Sequence, residues 1–195
     1  MALILSIFCL LVAQSFVIAQ DNCDSGPNNT DPNDCCATPM LVSIDIISEC
    51  LTKYGDMQKR INELPGPRRG CCIGDCITEK MGVNPTGDGN IDRDGLRKKL
   101  VEYLKGDTTF ADTLNTAIDK CFAIADTKAD EYKAAFELKP AFEGEKICHP
   151  ISGKTLGCIS NEIFLNCPAG VWKASDECDA IKAYVQRCET IPRHA

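Results

Sequence analysis

Six consecutive residues, Cys71-Cys72-Ile73-Gly74-Asp75-Cys76, place three thiols inside one stretch of helical pattern. Cys72 and Cys76 share a face one turn apart, and Cys71 points about 100° away from Cys72, so the three thiols cannot serve a single partner. The stretch is read as a helical hub stapled to several other segments. The rest of the chain has to supply the staples.

It has the means, with 14 cysteines in 195 residues. The first 20 residues hold no Asp, Glu, Lys or Arg, and 2–13 is almost wholly apolar, the pattern of a secretory signal peptide. Val17-Ile18-Ala19 predicts cleavage after Ala19, giving a leader over 1–19 and a mature chain over 20–195. An N-terminal membrane anchor is the weaker reading, because the apolar region is shorter than the roughly 20 residues that span a bilayer. No later stretch is a second span, so no membrane partner is expected.

Cys9 lies in the leader, which leaves 13 mature cysteines. In an exported chain that density means a disulfide framework. An odd number leaves one thiol free or joined to another chain. No metal site is expected: Cys72 and Cys76 are the only pair hinting at ligand spacing, and His149 and His194 lie far from them in sequence. Acidic residues outnumber basic ones 28 to 21, for a net charge of −7, with no stripe of Lys and Arg, which argues against a nucleic-acid partner. Arg68-Arg69 reads as a solvated corner.

Cys23 to Thr38, rich in Asn, Asp, Pro and Ser, reads as an arm ordered by crosslinks rather than by regular structure. Asn28-Asn29-Thr30 makes Asn28 a glycosylation candidate there. From Pro39, apolar residues recur at three- and four-residue steps through Leu51, with Gly55 after the end. Further helices are expected over 56–64, 70–81, 92–104, 109–125, 129–138, 155–167 and 173–188. No run alternates as a strand does. The fold class is all-α: one disulfide-stapled domain over 20–195, with about six core helices over 39–168, an arm over 20–38 and a C-terminal extension over 169–195.

Two chemical patterns fail on inspection. Asn90-Ile91-Asp92-Arg93-Asp94-Gly95 starts like a calcium loop, but position eight is Arg97 and position twelve is Val101, where a bidentate Glu is needed. Asp92 is better read as the N-cap of the next helix. The hub resembles the catalytic helix of secreted phospholipases A2, yet Ile73-Gly74-Asp75 supplies the Asp without the His that would activate water. No enzyme is expected, no catalytic residue and no cofactor.

The remaining signal is cysteine order. Cys50, 21 residues, Cys72, 3 residues, Cys76, 44 residues, Cys121, 36 residues, Cys158, 8 residues, Cys167 resembles the six-cysteine pattern of insect odorant-binding proteins. The extra cysteines, the pairs Cys35-Cys36 and Cys71-Cys72, the tail with Cys178 and Cys188, and Pro168 after Cys167 resemble the Plus-C subgroup. The interval from Cys50 to Cys72 is shorter than that pattern has, and Cys148 has no assigned role.

The resemblance implies bridges Cys50–Cys76, Cys72–Cys158 and Cys121–Cys167. Cys23, Cys35, Cys36, Cys71, Cys148, Cys178 and Cys188 then form three more bridges and leave one thiol, with adjacent cysteines going to different partners. The arm is expected to be tied to the Cys178 to Cys188 tail, and Cys71 to pair outside the six-cysteine set. The resemblance also implies a cavity for small apolar molecules, with Leu96, Leu100, Leu104, Phe110, Leu114, Ile118, Phe122, Ile163 and Phe164 as its walls.

The function expected from the resemblance is a secreted, non-catalytic carrier that binds small hydrophobic molecules reversibly in extracellular fluid such as sensillar lymph or haemolymph. An odorant receptor and a homodimer are the macromolecular partners it leaves open. A secreted, disulfide-rich interaction factor without a small ligand is the alternative, and a filled core with a large exposed apolar patch would favour it. A degenerate lipase-like enzyme would need an imidazole beside Asp75. Two histidines, one at the extreme C-terminus, give little support to a pH-driven release switch.

Overall fold

The structure is a computed structural model. It describes residues 23, 26–27, 30–84 and 86–189, so the expected leader and Asn28 lie outside the described residues. Among these, eight helices and no strand form.

The arm contains one short helix, Pro32–Cys35 (α1), where irregular structure was expected; the Asp31 carboxylate accepts from the Asn33 amide at 2.8 Å. Ile44–Asn62 (α2) starts where Ser43 Oγ accepts from the Ile46 amide. It runs straight through Gly55, which had been expected to end it. A Cβ at Gly55 would meet nothing within 4 Å, so this glycine costs only propensity, about 1 kcal/mol against alanine. The buried series Cys50, Tyr54, Gln58 and Ile61 continues across it and outweighs that cost.

The hub helix is Cys72–Lys80 (α3), followed by Arg93–Tyr103 (α4), where Asp92 accepts from the Gly95 amide at 2.9 Å. Ala111–Thr127 (α5) and Ala129–Phe136 (α6) come next. Pro150–Leu165 (α7) begins five residues before the expected Thr155, because Pro150 fills a first-turn position and His149 Nδ1 accepts from the Ile151 amide at 3.2 Å. Asp176–Cys188 (α8) is capped by Ser175.

Six disulfides join these elements. Cys50–Cys76 ties α2 to α3. The other two bridges implied by the resemblance are replaced. Cys72 bonds Cys148, not Cys158. Five residues on from Gly153, which faces α3, the helix has turned about 140°, so Cys158 points away from α3 and meets Cys121 on α5 instead. Cys167 lies beyond the end of α7, more than about 10 Å along the axis from Cys158, and bonds Cys36 of the arm. Cys35–Cys178 and Cys23–Cys188 complete the fastening of arm to tail, so the adjacent Cys35 and Cys36 do take different partners. Cys71 is the free cysteine among the described residues, where a partner had been expected for it.

Helices α3 and α7 cross where Gly74 meets Gly153: a Cβ on Gly74 would lie 2.5 Å from Gly153 Cα. A Cβ on Gly70 would collide with the Cys148 carbonyl. Helices α5 and α7 pack side by side, with Lys120 Nζ 2.8 Å from Glu162 in addition to their disulfide.

Candidate functional site

The nine residues expected to wall a cavity come together in one buried apolar cluster. Helix α4 contributes Leu96 and Leu100, its end Leu104; the start of α5 contributes Phe110, and α5 itself Leu114, Ile118 and Phe122. Ile163 and Phe164 arrive from α7. Leu96, Leu100, Leu114 and Ile118 have no exposed surface at all, so neighbours cover each of them completely. The cluster also takes in Ile159 of α7 and Ile181, Tyr184 and Val185 of α8, along with Met81, Val83 and Ile91 from the segment between α3 and α4. Sequence reasoning did not include these, although Ile159 and Ile163 sit on one α7 face.

One wall differs from the rest in how it is held. Helix α4 contains no cysteine, whereas α3, α5, α7 and α8 are each covalently fastened. Apart from its apolar contacts, α4 is held to α5 by two surface ion pairs, Arg93 with Asp126 and Arg97 with Asp119, and by a hydrogen bond that Arg97 donates to Asn115 Oδ1. The Arg93 guanidinium also sits 4.7 Å from the Phe122 ring centre. Left-handed backbone flanks the helix, at Gly82 (φ 75°), Gly87, Gly89, Lys105 (φ 52°) and Gly106 (φ 85°).

The end of the cluster nearest the hub is polar. Asp75 of α3 is buried, and its Oδ1 accepts from Asn84 Nδ2 at 2.8 Å and from Ser152 Oγ at 3.3 Å. Thr78 Oγ1 lies 2.9 Å from Ser152 Oγ, and Asn84 Nδ2 lies 3.2 Å from it. Burial raises the Asp75 pKa above its ordinary value; the Lys146 ammonium at 3.9 Å and the Ser152 and Asn84 hydrogen bonds oppose that rise. None of the hydrogen-bond partners of Asp75 is an imidazole. Sequence reasoning missed Thr78, Asn84, Ser152 and Thr155. The available signal was the series Ser152, Thr155, Ile159, Ile163, in which hydroxyls take core positions at helical steps.

His149 stands beside this network. It caps α7 through Nδ1, packs 5.3 Å from the Phe136 ring and 6.4 Å edge-on from Tyr132, and leaves no room for a Cβ at Gly89. Burial lowers its pKa, and the Asp88 charge partly offsets that. Among the described residues, no group of three or more His, Cys, Asp or Glu is placed to hold a metal ion. No described helix is long and apolar enough to cross a membrane. A surface groove between α2 and α3, lined by Asp45, Ser48, Glu49, Thr52, Lys53 and Lys80, is charged and bridged by the Lys80–Glu49 ion pair.

Fold and site together define a disulfide-framed, all-helical protein built around one dominant apolar cluster. Residues 39–184 match the family described as AgamOBP47-like, and the chain belongs to that family. It is 38% identical over 183 residues to Odorant-binding protein 47 of Anopheles gambiae, covering 91% of this chain and 78% of that one. Two further Anopheles gambiae relatives are General odorant-binding protein 67, at 25% identity over 85% of this chain and 76% of that one, and General odorant-binding protein 68, at 23% over 79% and 68%.

Proposed function

We propose that the chain is a secreted, extracellular, non-catalytic carrier of small hydrophobic molecules such as odorants, which enter its α4–α5–α7 apolar cluster reversibly. The observation that carries this reading is the mismatch in how the cluster's walls are held: α3, α5, α7 and α8 are covalently fastened, and α4 is held by packing and surface ion pairs. Exposed ion pairs of that kind contribute about 0–1 kcal/mol each. Beyond those pairs helix α4 opens only against its own apolar packing, chiefly Leu96 and Leu100, with no covalent bond to hold it, while the frame around it stays in place and the fully covered side chains part to admit a ligand. Removing about 300 Å² of ligand apolar surface from water contributes roughly 7 kcal/mol before ordering costs. Micromolar binding with loose specificity follows. The relatives' names support odorants as the ligand class.

The test is uptake of a fluorescent apolar probe by the oxidised protein and its displacement by volatiles and fatty acids. Saturable uptake at micromolar protein is the expected result. No uptake at tens of micromolar sinks the carrier reading. The complete covering of the core and the exposed apolar side chains of Met40, Ile44 and Leu51 would then favour the second reading, a secreted factor that binds another protein through α2.

A further inference from the structure

Two buried polar atoms in the described structure have no hydrogen-bond partner, Asn84 Oδ1 and Thr155 Oγ1. Both side chains are almost completely buried, at 0% and 1% exposure. Leaving such atoms unpaired is costly, and native proteins rarely do so without a reason.

The orientation of each is set by its surroundings. Asn84 Nδ2 is committed to Asp75 Oδ1 at 2.8 Å and to Ser152 Oγ at 3.2 Å. Exchanging the two ends of the amide would press an oxygen against the carboxylate, so Oδ1 is held turned away from Asp75. Thr155 lies in mid-helix, where a threonine hydroxyl commonly returns to the carbonyl four residues back; here it does not. On α7 Thr155 is one turn beyond Ser152 and one turn before Ile159, and the three lie on one face. It therefore sits between the Asp75–Asn84–Ser152 network and the apolar cluster. Asn84 itself directly follows Val83, a member of that cluster, in the segment that leads into α4.

We infer that Asn84 and Thr155 form the polar end of the ligand site and select apolar molecules that carry one hydroxyl group. This deepens the carrier reading and rests on it. One hydroxyl group carries both of the functions that the orphaned atoms lack, a proton for Asn84 Oδ1 and a lone pair for the Thr155 proton. A carbonyl can only accept, which leaves Asn84 Oδ1 unpaired. A carboxylate brings its charge toward the Asn84 oxygen and the buried Asp75 side chain.

The experiment measures displacement of the apolar probe by a straight-chain alcohol, the matching aldehyde and the matching terminal alkene, on the whole oxidised protein. The alcohol is expected to displace at about fivefold lower concentration than the aldehyde, and the aldehyde at about fivefold lower than the alkene, one net hydrogen bond separating each pair. Thr155→Val removes the aldehyde's advantage over the alkene and leaves the alcohol ahead of the aldehyde. Thr155→Ser, which keeps the hydroxyl, retains the original order, and Thr155→Ala, which also lacks the hydroxyl, serves in place of the valine variant if that fails to fold. Equal displacement by alcohol and aldehyde, or a Thr155→Val protein whose aldehyde-to-alkene ratio is unchanged, overturns the inference while probe uptake still upholds the carrier reading; the pair then holds an internal water only. Absence of probe uptake overturns both.

Discussion

Gly74 and Gly153 meet backbone to backbone: a Cβ added to Gly74 would lie 2.5 Å from Gly153 Cα and 2.7 Å from its nitrogen. Neither atom is a flexible side-chain end, so α3 and α7 would have to separate. Gly74→Ala is expected to destabilise by about 1–3 kcal/mol, as overpacking of a core does. For a chain of this length that is a fall of several degrees in thermal midpoint, at about 2–4 °C per kcal/mol. Gly157→Ala on the same α7 is the control, since its Cβ would meet nothing within 4 Å; it should be neutral or stabilising. Equal midpoints for the two variants would show that the crossing is not a close contact.

His149 predicts a stability loss in mild acid. Its Nδ1 accepts the Ile151 amide only when unprotonated, and burial holds its pKa below the ordinary 6.5. A depressed folded value means that the contribution is present above about pH 6.5 and is lost as the pH falls through the lower folded value. Asp75 acts in the opposite sense: its pKa is raised above 3.8 mainly by burial, so its contribution is present below that value and fades as the pH rises through the folded one. In chemical unfolding followed from pH 8 to pH 4, the His149 contribution should therefore appear as a fall in stability that Asp75 opposes. His149→Asn, which keeps a capping oxygen without titrating, should flatten the fall, and Asp75→Asn should steepen it. A pH dependence unchanged in the asparagine variant of His149 would refute the assignment.

Much of this architecture is legible in the chain itself. Helical periodicity places α4, α5 and α6 within two residues, because their apolar faces are regular, with Asp92 and Gly106 marking the ends of α4 and Pro140 following α6. Periodicity misjudges α2 and α7, since Gly55 and Gly153 look like breakers when read locally. One points into open space and the other is needed for close approach, and both facts belong to tertiary structure. The nine apolar residues are recognisable as a set because a stripe on each of three helices must find cover. The buried polar end is not, since nothing in the order of residues shows that Asn84 reaches Asp75 and Ser152. Two of the three implied disulfides fail for a similar reason, while Cys50–Cys76 forms: which cysteine Cys72 meets depends on the rotation of α7 about its axis, and a spacing pattern carries no such information.

The lack of a covalent tie on α4 predicts where the molecule opens. Amide hydrogen exchange of the oxidised protein should be faster in residues 93–103 than in the buried stretches of α3, α5 and α7, and bound probe should slow it selectively there. Removing the ion pairs with Arg93→Ala and Arg97→Ala together should speed α4 exchange further, with a change in global stability of about 2 kcal/mol or less, given what exposed pairs contribute. Exchange in α4 as slow as in α7 would mean that the cluster opens elsewhere or stays closed.

Cys71 is partly exposed and free, while its neighbour Cys72 is buried in a bridge to Cys148. The oxidised, natively folded chain should therefore take up one equivalent of a small alkylating reagent, and peptide mapping should place the adduct on Cys71. The competing arrangement, Cys71 bonded to Cys148 with Cys72 free, would put the adduct on Cys72 instead. Geometry disfavours it, because Cys71 Cβ already lies within 2.7 Å of where a side chain on Gly153 would start, packed against α7 beyond Cys148. Cys71→Ser should abolish labelling and leave the thermal midpoint close to that of the parent, since no bridge is lost. A fall of the size that follows loss of a native disulfide, about 2–5 kcal/mol, would show that Cys71 is a bridging residue after all. A disulfide-linked dimer on a non-reducing gel that disappears in the serine variant would instead assign Cys71 to a second copy of the chain.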